Sequence, residues 1–276
     1  MTRIRLVVAY DGGGFCGWQL QPEDRTVQGE LEEALARMVG EPVRLHASGR
    51  TDSGVHATAQ VVHFDVPDAR ADLPWTRALN SLTADDVAVL RHDMVSADFH
   101  ARFGAISKTY EYILWHERRF LLPQRRRFVW DCGPLDFNAL GMAAEVLQGR
   151  HDFSAFQNVG TPVKDTVRTL EPLEMLPGIT PHETVLRFTA DGFLKQMVRN
   201  LVGCLVEAGR GKLSPQNVRS VLYEGDRKTA PATAPAQGLS LVRVLYPGFD
   251  SGEAAGVGND HHMGPGEAHR SGPVRH

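Results

Sequence analysis

Ser48-Gly49-Arg50-Thr51-Asp52-Ser53-Gly54-Val55-His56 is the stretch on which the reading of this chain turns. It lies between two segments rich in β-branched and alternating residues, Val43 to Ala47 and Thr58 to Val66, so it reads as a loop joining two strands. A strand-loop-strand connection here departs from strict β-α alternation and favours α+β over a doubly wound sheet. Gly49 and Gly54 bracket an acid that Arg50 precedes by two residues. The local pattern leaves two readings open. Asp52 is either a turn residue bonding its own backbone, or a carboxylate presented by the loop and held ionised by neighbouring guanidinium groups.

Working outward, Arg3 to Tyr10 predicts a strand, broken by Gly12 to Gly14 as a tight turn. That glycine cluster lacks the spaced Gly-Lys-Ser/Thr of a nucleotide-binding loop. Thr26 is placed to cap a helix carrying Val27, Leu31, Leu35 and Met38 at helical spacing, ended by Gly40 and Pro42. A short helix from about Pro74 and a strand near Val87 to Met94 follow. Past His100 the spacing predicts a strand over Ile106 to Trp115, a helix over Asp136 to Gln148 and strands over Thr166 to Met175 and Thr184 to Thr189. The longest helical pattern runs from Phe193 to Ala208, and puts Lys195 and Arg199 four apart on one face. A short helix after Pro215 and a closing strand, Leu239 to Tyr246, complete the series. The expectation is two α+β halves, residues 1–100 and 101–247, followed by a disordered tail over 248–276 that holds seven Gly, four His and no Leu or Ile.

Composition narrows the function classes. With 30 Lys plus Arg against 33 Asp plus Glu, a net charge of −3, bulk charge gives no argument for a nucleic-acid partner. Apolar runs span only a few residues where a membrane helix needs about 20, so no membrane association and a cytoplasmic location are expected. Cys16, Cys132 and Cys204 are far apart and read as small buried hydrophobes, without disulfide or zinc spacing. The motifs of zinc deaminases, zinc proteases and serine hydrolases are missing, so no cofactor is expected. One local exception to the charge balance is Arg118, Arg119, Arg125, Arg126 and Arg127, a stretch with no acid before Trp130. It is either a solvated loop or a phosphate-contacting patch.

Six segments make the chain recognisable: YDGGGFCGWQLQP (10–22), GRTDSGVHATAQVVHF (49–64), FHARFGAISKTYEYIL (99–114), HDFSAF (151–156), GFLKQMVRNLVG (192–203) and TAPAQGLSLVRVLYP (233–247). In this order they resemble the tRNA pseudouridine synthase A family over nearly the whole length to Pro247. The resemblance implies an α+β pseudouridine synthase fold, two subdomains forming an extended antiparallel sheet flanked by helices. It implies isomerisation of uridine to pseudouridine at positions 38, 39 and 40 of tRNA, by a homodimer gripping the anticodon arm. Asp52 falls on the family's catalytic aspartate, Tyr110 would stack on the target uracil, and Arg199 would pair with Asp52. Arg50 occupies another site position, and Leu239 would form part of the pocket wall. Arg102, with Phe99, His100, Ala101 and Phe103, matches an RNA-contacting segment, and Lys164 and Arg168 lie in a less clearly matching RNA-contact region. Ser53 and Gly13 stand where the family usually carries other small residues. A catalytically silent RNA-binding protein is the rival reading, though a binder has no need of the carboxylate. A glycoside- or nucleotide-hydrolysing enzyme would need a second carboxylate, and Asp11 is the nearest candidate.

Overall fold

The computed structural model describes residues 1–158 and 165–256. β1 (Thr2–Tyr10) sends Ile4, Leu6, Val8 and Tyr10 into the main core by the period of two that a strand imposes. α1 (Val27–Val39) starts at the Thr26 cap, whose hydroxyl accepts from the Gly29 N–H, and buries Val27, Leu31 and Leu35. β2 (His46–Ala47) and β3 (His56–Val66) flank the Ser48–Val55 loop. α2 (Trp75–Leu82) seats Trp75 edge-on against Phe64 before β4 (Val87–Val95). After residue 100 come β5 (Ser107–Trp115), β6 (Trp130–Asp131), α3 (Phe137–Glu145), β7 (Gly149–Asp152), β8 (Val167–Leu170), β9 (Glu174–Pro177) and β10 (Glu183–Ala190). α4 (Met197–Gly209), α5 (Pro215–Glu224), β11 (Leu239–Tyr246), β12 (Phe249–Asp250) and α6 (Ser251–Ala254) close the series.

The strands form one mixed sheet in the order β4-β1-β3-β11-β5-β10-β8-β7, with helices packed on it. This is the α+β architecture expected. Its main ladders are antiparallel except at the seam, where β3 and β11 run parallel through Ser240 opposite His56 and Leu241 opposite Ala57. Three strands of the seam's near side come from residues 1–100 and five of its far side from 101–247, and the hydrogen bonding is continuous across them. Among the described residues, no helix is long and apolar enough to cross a membrane.

Several boundaries differ from expectation. The strand predicted over Thr166 to Met175 is two, β8 and β9, parted at Pro172, which has no N–H to give a ladder. Between Val43 and Ala47 only the two residues of β2 pair. α4 begins at Met197 rather than Phe193, because Gln196 stands in the left-handed region at φ 62°. That conformation strains a side-chain-bearing residue and ends any helical continuation upstream. Lys195 therefore lies before the helix and does not share a face with Arg199. The tail does not loosen at 248. Phe249 lies 3.3 Å beneath the Arg5 guanidinium, and the buried Ser251 hydroxyl accepts from Val244 N at 2.7 Å and donates to the Ala59 carbonyl at 3.0 Å. One aromatic and one buried serine anchor a stretch whose average composition predicts none; residues 257–276 lie outside the described residues. Cys16 is exposed, its thiol 3.4 Å from Asp24, while Cys132 and Cys204 are buried.

Candidate active site

The Ser48–Val55 loop is tied down along its length. Trp18 N–H donates to the Thr51 carbonyl at 3.0 Å, and Val55 N–H to the Asp52 carbonyl at 3.1 Å. The buried Tyr10 hydroxyl meets the Thr51 hydroxyl at 2.9 Å. Gln60, fully buried, accepts from Ser48 at 2.6 Å and donates to the Gly49 carbonyl at 2.8 Å. Gly17, at φ +93°, passes so close that a Cβ there would sit 2.9 Å from the Thr51 oxygen and 3.1 Å from the Asp52 carbonyl carbon. Only glycine satisfies both the angle and the approach. Lys108 adds a further bond from β5, donating to the Ser48 carbonyl at 2.6 Å. Burial, with Arg102 and Arg168 adding repulsion, pulls that ammonium down to about 8.

Held this way, Asp52 meets Arg199 of α4, 147 residues on, with Nη1 to Oδ2 at 3.2 Å and both side chains mostly buried. Arg199 is itself aimed: its Nε donates to the Ala234 carbonyl at 2.8 Å, and its own carbonyl accepts from Ala234 N–H. Gly203, one turn along α4, lets the 230–235 segment lie on the helix; a Cβ there would come within 2.1 Å of the Ala232 oxygen. That segment is pinned by Arg227, which donates to Asn200 at 3.1 Å, to Thr233 at 3.0 Å and to the carbonyls of Ala230 and Pro231. The fully buried Asn200 also donates to the Phe156 carbonyl at 2.7 Å.

Tyr110 is buried on β5, edge-on to Phe193 with ring centroids 5.1 Å apart. Burial pushes its hydroxyl well above the ordinary range, with Tyr10 and the Asp52 charge adding to the shift. The irregular start at Gln196 is what leaves Phe193 off the helix and free to face that ring. Leu239 is buried at the head of β11, opposite Tyr112. Asp52 and Arg199 therefore meet from two separate segments, and Tyr110, from a third, lies near enough to feel the Asp52 charge.

The remaining expectations divide. Arg50 does not join Arg199 at the carboxylate: it is exposed, with no ion pair among the described residues, so one guanidinium contacts Asp52 rather than two. Phe103 is 76% exposed and Arg102 lies 5.6 Å from its ring. Phe99 instead packs on Tyr246 at 5.1 Å, and Ala101 is fully buried, so neither offers a free side chain. Arg168 is half-buried and donates to the carbonyls of Asp165 and Val167. Lys164 lies outside the described residues. The arginine stretch is less bare than its sequence: Arg125 pairs with the buried Glu183 at 2.6 Å, Arg127 with Asp11 at 2.8 Å and Arg119 with Glu117 at 3.1 Å. Arg118 and Arg126 have no ion pair among the described residues. Asp11 is also engaged by the Gly13 N–H, which makes it a turn cap and not a second free carboxylate. Local sequence hides the parts played by Lys108, Gln60, Phe193 and the Ala234 carbonyl, although all four fall inside the matched segments.

A family model described as tRNA pseudouridine synthase matches residues 6–104 and 143–247. tRNA pseudouridine synthase A of Maridesulfovibrio salexigens is 56% identical over 94% of this chain and 96% of its own. That of Solidesulfovibrio magneticus is 55% identical, covering 89% of this chain and 92% of its own. That of Nitratidesulfovibrio vulgaris strain Miyazaki F is 52% identical, covering 89% and 100%. With a matching model over more than half its length and relatives this similar over 89–94% of it, the chain belongs to the tRNA pseudouridine synthase A family.

Proposed function

We propose that this synthase isomerises uridine to pseudouridine at positions 38, 39 and 40 of the anticodon stem and loop, with Asp52 as its catalytic carboxylate. The observation that carries the reading is the Asp52–Arg199 pair, set beside a buried tyrosine that feels the Asp52 charge. The bond from the sugar to ring nitrogen 1 breaks, the uracil turns, and a bond to ring carbon 5 forms. Carbon 5 gives up a proton and nitrogen 1 gains one, so the reaction is redox-neutral and balances without a cofactor. A uridine stacked in a stem hides its glycosidic bond and must be flipped out, at a cost of a few kcal/mol.

Tyr110 then stacks on the exposed uracil, a contact worth about 1–3 kcal/mol, and Leu239 closes the pocket wall. Arg199 holds the Asp52 carboxylate in one orientation by a charge-assisted bond. Arg50, Arg102, His100, Phe103 and Arg168 supply contacts to the RNA, with Lys164; Phe99 and Ala101 serve by shaping the backbone of their segment. The active form is a homodimer binding one tRNA across both subunits, acting in the cytoplasm where its substrate is.

Asp52→Asn keeps the shape of the side chain and removes its charge. It is expected to abolish release of tritium from carbon 5 of labelled tRNA, by about 1,000-fold or more, while tRNA binding measured by filter retention persists. Full activity in this variant would overturn the assignment of Asp52, and absence of tritium release from the parent protein would leave only an RNA-binding role for the cleft.

A further inference from the structure

We infer that His63 is a positioning residue for the tRNA-contacting segment 99–103, its neutral imidazole fixing Ala101 so that Arg102 and Phe103 are presented in one geometry. The inference rests on the reading of that segment as an RNA contact. His63 is buried on β3, and its Nδ1 accepts the Ala101 N–H at 3.2 Å. An Nδ1 that accepts leaves the single ring proton on Nε2. The Ala101 carbonyl accepts from the Tyr246 hydroxyl at 2.6 Å. A fully buried alanine is thus held at both its backbone groups, while the residues that follow it stand out in solvent. His100 repeats the device closer to the tip: its Nδ1 accepts from Arg102 N at 3.1 Å and Phe103 N at 3.3 Å, and its ring lies 4.4 Å from that of Phe103.

The histidines also connect this segment to the Asp52 loop. His46, on the short strand that leads into Ser48, stacks on His63 at 5.0 Å, and His63 meets His100 edge-on at 4.7 Å. Among the described residues no group of three His, Cys, Asp or Glu is arranged to hold a metal, and the two Nδ1 atoms are already spent on backbone N–H groups.

The surroundings favour the neutral ring. From β1, Arg3 donates to the carbonyls of Ala97 and Phe99, and Arg5 lies 5.4 Å from the Phe99 ring. His46 on β2, and His100 and Arg102 on the segment, add further actual or potential positive charge. Of the nearby carboxylates, Asp93 is paired with Arg5 and Arg91, and Asp65, although paired with Arg3, pulls in the opposite direction without outweighing the rest. Burial first, then His100, Arg3 and His46, pull His63 down to about 4. A histidine whose native value lies below its ordinary 6.5 contributes its full stabilisation above 6.5. That contribution declines as pH falls from 6.5 towards 4, because the released segment binds the proton better. Once protonated, Nδ1–H would face the Ala101 N–H donor to donor.

Asparagine places an oxygen near the Nδ1 position and does not titrate, which separates the bond from the ring. His63→Leu is expected to raise KM for tRNA about fivefold, the worth of one hydrogen bond, with kcat moved less. His63→Asn is expected to restore the KM at pH 7.5 to within about twofold of the parent and to flatten its rise between pH 7.5 and 5.5. A wild-type KM in His63→Leu overturns the inference, as does an acid-side rise in His63→Asn equal to the parent's. Should His63→Leu fail to fold, as read by thermal melting, the asparagine variant and its pH profile decide alone. Phe103→Ala, measured in parallel, separates the two levels. An unchanged KM there removes the RNA-contact reading and this inference with it. A raised KM with no effect at His63 removes the positioning role only.

Discussion

Asp52 and Arg199 reach each other from opposite sides of the seam, and the two sides hold their residue by different chemistry. On the Asp52 side every supporting contact named above except Lys108 is neutral: backbone bonds from Trp18 and Val55, the Tyr10–Thr51 hydroxyl pair, and the amide of Gln60. On the Arg199 side the support runs through a second guanidinium, Arg227, whose donors meet carbonyl, amide and hydroxyl oxygens and, among the described residues, no carboxylate. A neutral network that loses a member leaves neutral groups unpaired, whereas one built on a cation leaves a charge short of partners, and the second costs more. The loop is therefore the more tolerant half of the site, and the segment over α4 the more brittle.

Short of neutralising the carboxylate itself, cutting the link between the halves is expected to have the largest effect. Arg199→Ala removes both the bond to Asp52 and the bond to Ala234, and kcat for tritium release is expected to fall about 100-fold or more, from the loss of a charge-assisted bond of about 1.5–3 kcal/mol and the freed carboxylate. Arg199→Lys keeps the charge but loses the rigid fork that aims Nε at Ala234 and Nη1 at Asp52, so it should recover only part. Full recovery by lysine would show that the Ala234 bond does not orient the pair.

The comparison itself is tested by removing one amide from each side. Asn200→Leu strips partners from Arg227, Thr233 and the Phe156 carbonyl, and should destabilise by about 2–3 kcal/mol in urea unfolding. Gln60→Leu strips partners from Ser48, the Gly49 carbonyl and, at 3.4 Å, the Tyr10 hydroxyl, all of them neutral, and should cost about 1–2 kcal/mol. Equal losses, or the reverse order, would mean that the charge on Arg227 is satisfied by something other than this network.

The parts of the site that sequence displays are those carried by residue identity at short range. Asp52 lies in a glycine-bracketed loop, and Tyr110 and Arg199 fall in segments with recognisable neighbours, so all three are legible. What holds them is long-range and unreadable locally. The Ala234 oxygen is a backbone atom that any residue would supply, and Phe193 turns toward Tyr110 only because Gln196 adopts φ 62°, which hydrophobic periodicity does not encode. Charge windows fail for the same reason. Arg125 finds its acid 58 residues away in Glu183, and Arg127 finds Asp11 in a different half of the chain. The tail misled through averaging: Phe249 and Ser251 are two residues among many glycines, yet each has a partner on β1, β3 or β11.

The smallest expected effect belongs to Arg50, and it sharpens the contrast most. Arg50 is two residues from Asp52 in sequence, while Arg199 is 147 away, yet only Arg199 touches the carboxylate. An exposed guanidinium with no ion pair among the described residues is placed to meet a phosphate, and meeting one releases a counterion. Arg50→Ala is therefore expected to raise KM for tRNA severalfold at physiological salt and to lower the slope of log affinity against log salt by about one, with kcat nearly unchanged. The alternative is specific: a fall in kcat comparable to that of Arg199→Ala, at an unchanged salt slope. That outcome would mean that tRNA binding draws Arg50 inward onto Asp52, and that the tolerant half of the site is completed by its substrate.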